Sequence, residues 1–192
     1  MGSRTSSLLQ AEEIEQIQKE TGFSKRQIVR LYSRFTSLDK SDNGCLSRED
    51  LLRIPELAIN PLGDRIIHAF FMDNPESKIN FRQFMSTLSL FRPIKSHDKD
   101  IENPCNSRDN KLKFAFRMYD LDNSGMVTRE ELLVILQMMV GSNITEEQLG
   151  SIADRTIAEA DEDNSGAISY ENFVKALQRA DVEQMMSIRF LN

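Results

Sequence analysis

The chain has 192 residues and a mass of 22.1 kDa, with 40% apolar and 28% charged side chains, enough for one large domain or two small ones. Lysine and arginine number 24 against 30 aspartates and glutamates, and the net charge of -6 excludes the concentrated basic surface that nucleic-acid binding needs. Cys45 and Cys105 are too few for a disulfide framework, no apolar run approaches the roughly 20 residues of a membrane span, and the first residues lack a secretory signal, so the chain reads as soluble and cytosolic.

Residues 1–22 form the first segment. Gly2 after Met1, followed by Ser3, Arg4, Thr5 and Ser6, fits the N-myristoylation pattern, and one acyl chain gives weak, reversible membrane attachment. From residue 23 the chain reads as helices broken by short polar loops. Ser24 and Gln27 make a capping box flanked by the staple pair Phe23 and Ile28, and Ile28, Leu31, Phe35 and Leu38 continue at helical spacing.

The loop Asp39 to Asp50, DKSDNGCLSRED, keeps Asp39, Ser41, Asn43, Gly44 and Ser47 at the oxygen-donor and turn positions of a twelve-residue calcium loop, but it ends on Asp50. A terminal aspartate reaches less far than glutamate, which suits Mg2+ or no ion better than tight Ca2+. Asn60–Pro61 is expected to open the next helix, carrying Leu62, Ile66 and Phe70. The stretch Met72 to Gln83 is a dead loop, with Met72 in the first ligand place and Gln83 in the last. Ile79 there can still pair with Leu46 as a central strand residue. An apolar run through Phe84, Met85, Leu88 and Phe91 closes the first lobe, 23–91.

Residues 92–108, with two prolines and little periodicity, read as a flexible connector. Charge divides across it. Residues 1–91 hold 12 acidic and 12 basic side chains, whereas residues 109–180 hold 13 acidic and 7 basic, so the whole deficit lies in the second lobe.

The strongest motif is Asp120 to Glu131, DLDNSGMVTREE. Asp120, Asp122, Ser124, the Met126 carbonyl, Thr128 and Glu131 stand at loop positions one, three, five, seven, nine and twelve, with Gly125 at the turn. Hard Ca2+ takes such oxygen donors. Leu132, Ile135, Leu136, Met138 and Met139 follow on the exiting helix, and Thr145 with Gln148 starts another. The loop Asp161 to Asn172, DEDNSGAISYEN, repeats Asp161, Asp163, Ser165, Ala167 and Ser169 but places Asn172 at position twelve, with Glu171 one residue early. The two-oxygen clamp is then missing, and weaker calcium binding is expected there. An apolar tail, 181–192, includes Val182, Met185, Met186, Ile188, Phe190 and Leu191. Four hands repeat at about 40 residues, and hands bury their cores in pairs. The expected fold class is therefore all-α, a two-lobed EF-hand protein with an N-terminal pair over 23–91 and a calcium-binding pair over 109–180.

The passages RLYSRFTSLDK, RIPELAINPLGDRII, FRQFMSTLSLFRP, NSRDNKLKFAFRMYDLD and DVEQMMSIRF resemble the calcineurin B homologous proteins, relatives of the calcineurin regulatory subunit, along nearly the whole chain. The resemblance implies a myristoylated, calcium-binding cofactor that holds an amphipathic juxtamembrane helix of a plasma-membrane sodium/proton exchanger, supports its activity and pH regulation, and also modulates calcineurin. It implies calcium sites at the two second-lobe loops, and a place in the cytoplasm and on the cytoplasmic face of the plasma membrane, with nucleus and endomembranes beside them. Candidate groove residues are Phe84, Leu88, Phe91, Leu132, Ile135, Met138 and Met139.

Rival readings are a calcineurin-type phosphatase regulatory subunit, which shares acylation and helix binding, and a simple calcium buffer. The degenerate first-lobe loops and long connector point toward the exchanger cofactor, with calcium mainly structural. No enzyme is expected, since His68 and His97 have no nucleophile or acid partner in the pattern.

Overall fold

The computed structural model describes residues 9–72, 77–93 and 104–187; Gly2, His97 and the tail residues Ile188, Phe190 and Leu191 lie outside these. Helix α1, Ala11–Thr21, buries Ile14, Ile17 and Thr21 on one face and ends at Gly22, whose φ of 68° lets its amide turn back to the Gln18 carbonyl. Ser24 then opens α2, Lys25–Leu38, with the expected reciprocal cap to Gln27. Phe23 and Ile28 are both fully buried, as a staple requires.

The first hand continues through β1, Cys45–Ser47, and the short helices α3, Arg48–Leu51, and α4, Pro55–Ala58. The next helix, α5, spans Gly63–Phe71 and does not begin at Asn60–Pro61. Asn60 instead makes a local turn, its Oδ1 accepting the Leu62 amide at 2.9 Å and its carbonyl accepting the Gly63 amide at 2.8 Å. That competing side-chain bond delays the helix by two residues. Gly63 is buried because α4 crosses directly over it, and a Cβ there would overlap the Leu57 carbonyl oxygen.

Strand β2, Lys78–Asn80, pairs antiparallel with β1, placing Ile79 opposite Leu46 as the spacing predicts, and α6, Phe81–Ser89, follows. The second lobe repeats the plan. Helix α7 spans Arg108–Tyr119, β3 Met126–Val127, α8 Arg129–Val140, α9 Glu146–Ala160, β4 Ile168–Ser169 and α10 Tyr170–Ala176, with Val127 opposite Ile168. A last turn of helix, α11, covers Val182–Met185. Two hands per lobe, each pair closed by a two-stranded ribbon, make the two-lobed EF-hand fold. No described helix is long and apolar enough to cross a membrane.

Helix α7 joins the lobes. Phe114 and Phe116 are two residues apart, about 200° around the helix, so they face opposite ways. Phe116 belongs to the second-lobe core with Val127, Leu132, Ala153 and Ile168. Phe114 is buried among first-lobe residues, edge-on to Phe70 at 6.1 Å and to Phe91 at 5.1 Å. The described ends of the connector are packed as well: Arg92 donates to the Thr21 carbonyl and lies over the Phe23 ring, and Cys105 donates to the Glu20 carbonyl.

Beside this joint the Lys111 side chain is fully buried. Its three N–H groups meet three carbonyls, Leu90 at 2.5 Å, Met186 at 2.9 Å and Arg92 at 3.3 Å, so one ammonium ties α7 to the end of α6 and to the tail. Arg108 adds bonds to the Leu177 and Ala180 carbonyls and an ion pair with Glu183. Val182 is buried and Met186 packs on the first-lobe core, while Met185 is exposed.

Two outcomes follow from this packing. Gly63→Ala forces α4 and α5 apart, and overpacking of this kind costs about 1–3 kcal/mol; urea denaturation should show that loss. Burial pushes the Lys111 pKa down from 10.5 to about 8, and Glu183 partly opposes it. The unfolded chain therefore holds the extra proton between pH 8 and 10.5, and stability contributed at this position rises with pH across that window. Measured against Lys111→Met, the wild type should gain stability from pH 8 to 10.5, and parallel pH curves would contradict the assignment.

Candidate metal centre

Each loop begins where a helix ends. The Asp120 amide bonds the Phe116 carbonyl to close α7, which fixes the Asp120 carboxylate at the loop's head. Its Oδ1 accepts the Ser124 amide and its Oδ2 the Gly125 amide, both at 3.0 Å. Asn123 and Gly125 take positive φ, 59° and 84°, and their left-handed turn folds the loop back on itself. The Ser124 hydroxyl donates to the Met126 carbonyl, and Ser124 also donates its amide to Asp122 at 3.0 Å. Bonds from Ser124, side chain first and amide second, hold the exposed Asp122 carboxyl below its ordinary pKa.

Thr128 caps α8, accepting the Glu131 amide, and Glu131 returns one carboxylate oxygen to the Thr128 amide at 2.8 Å. The other oxygen reaches across the loop to the amides of Leu121, at 2.7 Å, and Asp122, at 3.2 Å. Carboxylate oxygens of Asp120, Asp122 and Glu131 thereby converge within 4.8 Å of one another. Asp120 and Glu131 are buried. Like charges this close repel unless a cation joins them, and a set of oxygens alone, with hydroxyls and a carbonyl nearby, suits Ca2+. Asp120, Asp122, Ser124, Met126, Thr128 and Glu131 are the residues that would hold it.

The loop at 161–172 has the same backbone but a different close. Asp161 accepts the Ser165 and Gly166 amides, and the Ser165 hydroxyl donates to the Ala167 carbonyl. Ser169 caps α10 as Thr128 caps α8. Asn172 occupies the twelfth position and is buried, yet its side-chain amide donates to Asp163 at 3.3 Å. An N–H thus points at a carboxylate where a clamp oxygen would face an ion. Glu171 does not shift into the site; it pairs with Lys175 on the surface.

In the first lobe, Asp39 accepts the Asn43 and Gly44 amides and Asp50 caps Ser47, reproducing the loop frame. The remaining Asp50 oxygen is held by Arg53 at 2.9 Å. A guanidinium from the next turn thus stands on the twelfth residue as an internal counter-charge, and among the described residues a three-carboxylate cluster forms at 120–131 alone. In the other first-lobe loop, Gln83 caps Asn80.

A family description, EF-hand domain pair, matches residues 109–178, nearly the span read as the second lobe. Along its length the chain is 44% identical to the calcineurin B subunit of Naegleria gruberi, over 98% of this chain and 99% of that protein. It is 42% identical to the type 2 calcineurin B subunit of Dictyostelium discoideum, over 96% and 95%, and 35% identical to the calcineurin B subunit of Candida glabrata, over 92% and 94%. The chain belongs to the calcineurin B family. It is a calcium-binding EF-hand protein.

The groove candidates separate in this calcineurin B-like chain. Phe84, Leu132 and Ile135 are core residues and Leu88 and Phe91 are half-buried; Met138 and Met139 stand exposed beside Val134 on α8. Sequence reading misses the roles of Arg53, Arg65 and Lys111. Arg53 lies three residues after Asp50, a helical pair visible in the sequence, whereas nothing local marks Arg65 or Lys111 as reaching into another segment.

Glu131→Gln should weaken calcium binding at 120–131 by more than the roughly 10–100-fold lost with an outer partner of a metal ligand. Asn172→Glu should create a second tight site, because it replaces the donating amide by the missing two-oxygen clamp. Calorimetric titration checks both, and equal small effects would contradict this ranking of the loops.

Proposed function

We propose that the protein is the calcium-binding regulatory subunit of a calcineurin-type phosphatase, and that it grips an amphipathic helix of the catalytic chain. The observation that carries this reading is the end-to-end correspondence with relatives named as calcineurin subunits, 44% identity over 98% of the chain. Those relatives support it better than they support the exchanger cofactor.

The geometry is compatible with such a grip. Glu131 is at once the loop's twelfth residue and the third residue of α8, so calcium fixes the start of the helix that exposes Val134, Met138 and Met139. Val134 and Met138 are one turn apart, and methionine adapts its shape to an apolar partner face. The described part of the tail, through Ser187, is docked on α7 and the first-lobe core. Acylation at Gly2 would supply the cytoplasmic membrane attachment.

The exchanger cofactor is a second reading, favoured by the state of the first-lobe loops. Asp50 is committed to Arg53, and Met72 and Gln83 stand where acidic ligands would be, which leaves calcium chemistry to the second lobe. Capture of partners from cytosol and from membranes, with calcium and with chelator, separates the two. Recovery of a phosphatase catalytic chain is expected, and recovery of a sodium/proton exchanger without any phosphatase would replace the first reading by the second.

A further inference from the structure

Arg65 projects from α5 of the first lobe to the C-terminal end of α7. Its Nε donates to the Met118 carbonyl at 3.0 Å, and its Nη2 donates to the carbonyls of Arg117 at 3.1 Å and Asp120 at 3.4 Å. These are carbonyls at the helix end with no amide ahead of them in the helix, and they carry the negative end of its dipole. The Asp120 oxygen belongs to the first ligand residue of the calcium loop.

The surroundings of this guanidinium are specific. Arg48, a second cation acting on it, is paired with Asp64 at 3.2 Å. Burial and Arg48 both disfavour the charge on Arg65, and the acidic groups opposing them are Asp120 and Glu131, two of the three converging carboxylates. Arginine stays protonated throughout the ordinary pH range, so the first lobe supplies a permanent positive charge to the second lobe's ion loop. Asp50 shows the same chemistry inside one hand, where Arg53 serves as the cation. At 120–131 the cation comes from the other lobe.

We propose that Arg65 is a positioning residue for the 120–131 loop: a counter-charge from the first lobe that caps α7 and offsets the loop's carboxylates when calcium is absent. When calcium enters, the carboxylates gain a closer and doubly charged partner, and the contribution of Arg65 falls. Arg65 therefore stabilises the empty loop more than the loaded one. By linkage it lowers calcium affinity there and narrows the difference between the two states. It also makes occupancy of the second-lobe loop felt on α5, the helix that carries Ile67 and Phe70 into the first-lobe core.

The test is thermal unfolding of the full chain in chelator and in saturating calcium, together with calorimetric calcium titration, for Arg65→Met and Arg65→Lys. Arg65→Met should lose more stability in chelator than in calcium, and its affinity at 120–131 should tighten by about fivefold, at the low end of measured couplings between sites. Arg65→Lys keeps the charge and loses the fork. It should lose stability about equally in both conditions while its calcium affinity stays near wild type. In the Glu131→Gln background, with one carboxylate neutralised, the stability that Arg65→Met loses in chelator should be smaller than in the wild-type background. If Arg65→Met does not fold in chelator, Arg65→Gln, which keeps a donor without the charge, carries the same comparison. Equal losses with and without calcium for the uncharged variants would reduce Arg65 to a structural cap. Weakened calcium binding, or Arg65→Lys behaving as Arg65→Met, would likewise overturn the proposal.

Discussion

The twelfth residue of each hand has two tasks, and the chemistry of the protein depends on how each side chain divides itself between them. It must complete the cap of the exiting helix, because first-turn amides have no partner of their own, and it must face the middle of the loop. Glu131 is long and doubly acceptor, so one oxygen serves Thr128 and the other crosses to Leu121 and Asp122. Asp50 serves Ser47 and meets Arg53. Gln83 caps Asn80. Asn172 leaves the reciprocal cap unmade and gives its amide hydrogen to Asp163. Where the loop frame is described, a single position thus separates an ion site, a self-neutralised loop and an amide-bridged loop.

The frame survives these changes because it rests on bonds that the twelfth residue does not control. In three described loops the first aspartate accepts the amides of the fifth and sixth residues, and a residue of positive φ turns the chain. Ribbon pairs, Leu46 with Ile79 and Val127 with Ile168, then hold the two hands of each lobe together whatever their charge. An empty hand is still half of a core, which is why the first lobe keeps its fold without a carboxylate cluster in its described loops.

Much of this is legible in the sequence alone. Capping boxes at Ser24 and Thr145, the staple of Phe23 with Ile28, the ribbon pair and the defect at Asn172 all follow from local spacing, because the forces involved act within four residues or across one ribbon. Three features are not. The start of α5 falls later than the pattern indicates because the side chain of Asn60 competes for the Leu62 amide, a choice between two local bonds that pattern does not rank. The union of the lobes is hidden because Phe114 and Phe116 look alike in sequence and differ only in which core each meets. Lys111 and Arg65 resemble ordinary surface charge in the sequence, since their carbonyl partners lie up to 75 and 55 residues away. The equal charge balance of residues 1–91 thus conceals an arginine whose field acts in the acidic lobe.

These features also decide where a change at the ion loop can travel. One route runs through β3 and β4 into the 161–172 loop, but that loop is already braced by the bond from Asn172 to Asp163 and by the amides on Asp161. The other route runs back along α7, whose end Arg65 holds and whose far face carries Phe114 against Phe70 and Phe91. Lys111 on the same helix grips the Leu90 and Met186 carbonyls. A small movement of α7 would be shared at once by the first-lobe aromatic core and by the tail, since packed interiors pass on displacement more readily than they absorb it. The first-lobe aromatic core and the tail are thus both joined to α7, the helix whose end leads directly into the 120–131 loop.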